Sequence, residues 1–122
     1  RVDDEAEPIF RKNQIFDGKA EGVSVLDNGL GLFEYNDIYN NSSSGVTVIS
    51  GGDPRFVSNS VHRNREHGIY ITREGCGHFQ DNEIFQNVMA CLYVDGEGSN
   101  PTVTRNNISN GLGTGITVCD GG

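Results

Sequence analysis

The chain has 122 residues, with seventeen acidic side chains against nine basic ones, a formal net charge of −8 and a pI near 4.6. That length suits one domain with one core, and that charge repels phosphate backbones, so nucleic acid is excluded as a nonspecific partner. No apolar run approaches the ~20 residues that a membrane-spanning helix needs, and no membrane partner is expected.

Arg1 to Glu7 comes first and carries four acids, Asp3, Asp4, Glu5 and Glu7. Such charge density resists packing and predicts a solvated, flexible tail over 1–7, followed by a single domain over 8–122. The opening on Arg1 rather than Met reads as a fragment of a longer protein or a processed form.

From Pro8 the chain becomes periodic. The first coil has Pro8, Phe10, Asn13 and Ile15, then Gly22 with the alternating pair Val23 and Val25. The second, "FEYNDIYNNSSSGVTV" preceded by Gly31, repeats this as Phe33, Asn36, Ile38, Gly45, Val46 and Val48. The third has Pro54, Phe56, Asn59, Val61, Gly68, Ile69 and Ile71. The fourth has Gly77, Phe79, Asn82, Ile84, Cys91, Leu92 and Val94, with cysteine in the glycine column. The fifth has Pro101, Val103, Asn106, Ile108, Gly115, Ile116 and Val118. The five asparagines stand 23, 23, 23 and 24 residues apart.

A fixed period of this length marks a solenoid. Each coil holds two short runs of period-two alternation, F-x-x-N-x-I and G-V-x-V, punctuated by turn residues. One coil cannot bury its own apolar face, but stacking at ~4.8 Å pairs each strand with its equivalents above and below. The predicted fold is all-β, a right-handed parallel β-helix of about five coils of 23 residues. Leucine-rich repeats share the period but need a leucine framework, and the five leucines here fall in different columns. Asn13, Asn36, Asn59, Asn82 and Asn106 are read as a structural ladder, each amide bonding the next. They are also expected to take left-handed backbone geometry at a bend. With no capping segment evident, the end strands Ile9 to Ile15 and Gly115 to Val118 are expected to be adhesive edges, open to end-to-end self-association.

The candidates for chemistry lie off these columns. The third coil concentrates Arg55, Arg63, Arg65, Arg73, His62 and His67, and the fourth holds Asp81, Glu83, Asp95 and Glu97 with no Lys or Arg. A basic ring next to an acidic ring predicts cross-coil ion pairs. It also offers Arg55, Arg63, Arg65 and Arg73 as contacts for an acidic or phosphorylated segment, since arginine forks suit carboxylate and phosphate. Glu74, Asp95 and Glu97 fall near one edge of the solenoid around Arg73. They are the weak candidates for acid–base catalysis on a sugar, or for holding a hard cation. The column Phe16, Tyr39, His62, Phe85 and Ser109 reads as packing, and could stack a sugar only if it faces outward. Cys76, Cys91 and Cys119 have no metal-like spacing and no glycine loop cradles a phosphate, so neither metal nor cofactor is expected. The cysteines read as reduced thiols inside a cell, in cytoplasm or nucleus. The sequons at Asn40, Asn41 and Asn107 carry little weight among thirteen asparagines.

The pattern N-x-I-x-x-N/G-x-x-x-G-V/I-x-V, best seen in "NDIYNNSSSGVTV" and "NEIFQNVMACLYV", resembles the parallel β-helix repeats of carbohydrate-binding proteins and sugar hydrolases. Most closely it resembles the coils of F-box proteins that use a β-helix to recognise substrates. The resemblance runs from Pro8 to the C-terminus. It implies a non-catalytic protein-interaction module, part of a larger protein such as a ubiquitin-ligase adaptor. The alternatives are a polysaccharide lyase, hydrolase or epimerase, or a sugar-binding module, and a structural, self-stacking scaffold.

Overall fold

A computed structural model describes residues 1–122 and contains fifteen short strands and no helix. The first coil contributes β1 (Ile9–Arg11), β2 (Gln14–Phe16) and β3 (Val23–Val25), and the second β4 (Leu32–Glu34), β5 (Asp37–Tyr39) and β6 (Val46–Ile49). The third gives β7 (Arg55–Val57), β8 (Ser60–His62) and β9 (Ile69–Thr72). The fourth gives β10 (His78–Gln80), β11 (Glu83–Phe85) and β12 (Leu92–Val94), and the fifth β13 (Thr102–Thr104), β14 (Asn107–Ser109) and β15 (Ile116–Val118). Equivalent strands pair in parallel into three five-stranded sheets. We call them the phenylalanine sheet (β1, β4, β7, β10, β13), the isoleucine sheet (β2, β5, β8, β11, β14) and the valine sheet (β3, β6, β9, β12, β15).

Each coil thus has three strands, where the sequence suggests two. The run F-x-x-N-x-I is cut in the middle because Lys12, Tyr35, Ser58, Asp81 and Arg105 take φ of +53° to +56°. One left-handed residue turns the chain through a corner, so the Phe and the Ile of one run enter different sheets. The asparagine after it is not itself left-handed, a correction to the sequence reading. Its part is to seal the corner. Asn59 Oδ1 accepts the Asn36 backbone N–H at 2.9 Å and Asn36 Nδ2 at 3.0 Å, while Asn59 Nδ2 donates to the Phe33 carbonyl at 2.8 Å. The same bonds link Asn13 to Asn36 and Asn82 to Asn106.

A second ladder closes the next corner. Asn41 N–H and Nδ2 donate to Asn64 Oδ1, and Asn64 N–H and Nδ2 to Asn87 Oδ1, all at 3.0–3.1 Å. Asn41 is fully buried there, which removes it as a glycosylation acceptor. The residues before these asparagines, Asn40, Arg63 and Gln86, are again left-handed.

Inside, each strand of the phenylalanine and isoleucine sheets points one side chain to the axis, and each strand of the valine sheet two. Phe33, Phe56 and Phe79 stack face to face, with centroids 4.3 and 5.5 Å apart, and Phe10 continues the column at 5.0 Å. Ile38, Val61 and Ile84 fill the second wall, and Val46, Val48, Ile69 and Ile71 the third. The glycines ahead of the valine-sheet strands admit the second ladder. A Cβ on Gly22, Gly45 or Gly68 would lie 2.6–2.7 Å from Nδ2 of Asn41, Asn64 or Asn87 on the next rung. Cys91 breaks the glycine column where the rung beneath it has Gly111 in the asparagine column. A Cβ on Gly111 would lie only 3.1 Å from Cys91 Sγ, so the thiol occupies the space of the missing amide.

Residues 1–7 are not the free tail their charge suggests. Val2 is buried and bridges Val25, with its N–H on the Ser24 carbonyl at 2.8 Å. Asp4 and Glu5 repeat the left-handed geometry of Asp27 and Asn28. The Asp4 and Glu5 side chains face water, but the backbone is a partial rung pinned by hydrogen bonds, including Asp4 N–H to Asp27 O and Leu30 N–H to Ala6 O. The extra residue of the fourth coil is taken up between Val94 and Pro101. There Gly96 and Gly98 both have φ of +82° and Ser99 Oγ donates to the Asp95 carbonyl at 2.7 Å. Register is undisturbed on either side: His78 opposes Thr102 and Leu92 opposes Ile116.

Candidate functional site

With every inward position committed to packing, function falls to the outward positions. In a stack these share a surface by column, one residue per rung. The four arginines of the third coil are therefore dispersed. Arg55 projects from the phenylalanine sheet, Arg63 and Arg65 lie at and beyond the end of the isoleucine-sheet strand β8, and Arg73 sits at the corner after the valine-sheet strand β9. The cross-coil ion pairs expected between the third and fourth coils do not form. Arg63 Nε donates to Gln86 Oε1 at 3.2 Å, and Asp81 pairs with Arg105 of the fifth coil at 2.9 Å. That pairing holds the Asp81 carboxyl below the usual carboxylate range.

The carboxylate candidates are also divided. Glu74 and Glu97 line a corner hollow of about 530 Å³ with Arg73, Asn28 and Ser50. Asp95 is turned onto the valine sheet, where it accepts the Tyr70 hydroxyl at 3.2 Å. Burial raises the Tyr70 phenol, and the Cys119 thiol, 3.2 Å from the Tyr93 hydroxyl, helps push that phenol up to about 12. Both phenols stay protonated near neutral pH and supply no base beside Asp95.

The column Phe16, Tyr39, His62 and Phe85 does face outward, but its rings lie flat on one another at 4.6–5.3 Å with planes within 10°. Ring faces that a sugar would use are covered by neighbouring rings, apart from the two end faces, on Phe16 and on Phe85 above Ser109. His62 is fixed by a 2.8 Å contact from Nε2 to Asp37 Oδ1 and serves the stack.

The groove that the sequence did not reveal runs along the outer face of the phenylalanine sheet. Its central column is Ile9, Leu32, Arg55, His78 and Thr102, aligned rung by rung. The upper part, about 450 Å³, is lined by Glu7, Ile9, Leu30, Leu32, Asp53, Arg55 and His78. The lower part, about 350 Å³, continues past Arg55 and His78 to Gln80, Thr102 and Thr104. Leu32, Arg55 and His78 stand there because Phe33, Phe56 and Phe79 alternate inward beside them. Arg11, on the same face, is occupied by Glu34. Arg55 has no hydrogen bond or ion pair from its side chain, although Asp53 and Glu7 border the same groove. The signal for it in the sequence is a column, Arg55 and His78 at 23 residues' separation, and reading each coil by composition hides it.

A third outward cluster carries a pH dependence. The His67 ring lies 4.5 Å from Tyr93 and 5.5 Å from Tyr70, and its Nδ1 accepts the Ala90 backbone N–H at 3.2 Å. Burial lowers its pKa from the ordinary 6.5, against the pull of Glu66 and Asp95. The unfolded chain then binds more protons than the folded one just below pH 6.5. Stability is therefore full above that value and falls as pH drops through the folded pKa. Urea midpoints measured from pH 7.5 to 5 are expected to fall more steeply for the native chain than for His67→Gln. Parallel curves would remove His67 as the source.

The family model for the right-handed beta helix region matches residues 1–122. No curated protein and no solved structure matches the chain.

Proposed function

The chain belongs to the right-handed β-helix family, and on that scaffold we propose that it is a non-catalytic recognition module binding an acidic or phosphorylated segment of a protein partner along the phenylalanine sheet. The observation that carries this reading is the pairing of Arg55 with His78 on adjacent rungs, in a groove, with the guanidinium uncommitted. A free guanidinium is a ready fork for carboxylate or phosphate. A large negative net charge around it disfavours indiscriminate anion binding, so neighbouring contacts must select the ligand. The resemblance of the coils to F-box recognition modules supports the same role, within a ubiquitin-ligase adaptor.

The test is fluorescence anisotropy with labelled acidic and phosphorylated peptides. Each charge-assisted hydrogen bond lost contributes on the order of 1.5–3 kcal/mol, so Arg55→Ala with His78→Ala is expected to weaken binding tenfold or more. Arg63→Ala with Arg65→Ala, on a different corner, is expected to leave it unchanged. Equal binding by the native chain and the Arg55/His78 variant would overturn the assignment.

A carbohydrate-active reading rests on Glu74 and Glu97 sharing the corner hollow with Arg73. Turnover of an acidic or neutral polysaccharide, lost in Glu97→Gln, would favour it over the recognition reading.

A further inference from the structure

Resting on that recognition reading, we infer that the groove selects a segment in the polyproline II conformation, with one apolar side chain and an acidic or phosphorylated side chain three residues away. The central column changes character every two rungs: Ile9 and Leu32 are apolar, with Leu30 beside them, and Arg55 and His78 follow. Rungs are ~4.8 Å apart, so the centres of the Ile9/Leu32 and Arg55/His78 pairs are separated by ~9.6 Å along the axis.

A ligand lying along this face cannot join the sheet, because the backbone groups of interior strands are bonded to their neighbours within it. It binds by side chains on one of its own sides. An extended β-strand repeats its side every second residue, at ~6.8 Å, and again at ~13.6 Å, which straddles the required span and matches neither. A polyproline II segment has three residues per turn and a rise of 3.1 Å, so residues i and i+3 share a side at ~9.3 Å. That spacing seats one side chain over Ile9 and Leu32 while the other reaches Arg55 and His78. The rod has no internal hydrogen bonds, and its free backbone groups meet the polar end of the groove at Gln80, Thr102 and Thr104. Charge sets the direction: at the apolar end Glu7 faces no cation and repels an anion, whereas at the other end Asp53 is offset by the Arg55 guanidinium.

The test uses labelled proline-rich peptides, each with one leucine and one phosphoserine spaced by two, three or four positions, in both chain orders, and one peptide lacking leucine. Anisotropy titrations are expected to give the three-residue spacing about tenfold tighter binding than the others, the value of burying one leucine side chain. Leu32→Ser, an outward substitution that leaves the core intact, is expected to abolish the preference while retaining weak phosphopeptide binding. Equal affinity across spacings, or a preference that persists in Leu32→Ser, overturns this inference and leaves the anion site standing. Absence of binding to every peptide overturns both this inference and the recognition reading.

Discussion

Replacing Asn59 with alanine is expected to lower folding stability by about 4 kcal/mol, the sum of a buried backbone donor left unpaired and several net hydrogen bonds removed. Asn59 is almost fully buried in the middle of its ladder. Its Oδ1 is the acceptor for the Asn36 backbone N–H, which water cannot reach once the amide is gone. Its Nδ2 serves the Phe33 carbonyl and Asn82 Oδ1, so both neighbouring rungs lose a partner. The left-handed corner at Ser58 is then held without its seal. Urea unfolding followed by circular dichroism measures the loss. A fall below about 1 kcal/mol, the worth of a single ordinary hydrogen bond, would mean that the ladder is decorative.

Gly68→Ala is expected to cost about 3 kcal/mol, the upper end for overpacking a filled interior. Its Cβ would lie 2.5 Å from the Cys91 carbonyl oxygen and 2.7 Å from both Asn87 Nδ2 and Ile84 Cγ2. Backbone on one side and a hydrogen-bonded ladder on the other leave nothing free to yield. Position Gly68 is not left-handed, so the demand is for space alone. The same logic couples Cys91 to Gly111. Gly111→Asn is expected to destabilise the native chain by clashing with the thiol, and to be tolerated in a Cys91→Gly background, where the new amide can accept the Asn87 N–H. Thermal melts of the two single variants and the double variant give the coupling, and additivity would show that the two sites do not share one space.

These contacts explain what a reader of the sequence can and cannot recover. Asn36 and Asn59 recur because each bonds an identical residue above and below, so the physical constraint writes itself as a period. The second ladder is harder to see, because Gly18 and Gly111 stand at its ends. The corner before each ladder asparagine is invisible, since Lys12, Tyr35, Ser58, Asp81 and Arg105 share a backbone angle and no chemistry. The outer surface is hardest of all. Arg55, Arg63, Arg65 and Arg73 cluster within one coil of sequence, yet one coil visits three faces, so neighbours in sequence are strangers in space. Arg55 and His78 meet because they are one full coil apart.

The fourth coil carries one residue more than the others, and the excess is absorbed wholly between Val94 and Pro101, with strand pairing intact on both sides. The other two corners each carry an asparagine ladder and keep one length through all five coils. The one added residue thus falls in a single seam, down which segments inserted at the same corner of successive coils would emerge side by side. A designer wishing to graft a loop has in that seam a corner where this scaffold already carries an added residue with its strands still in step.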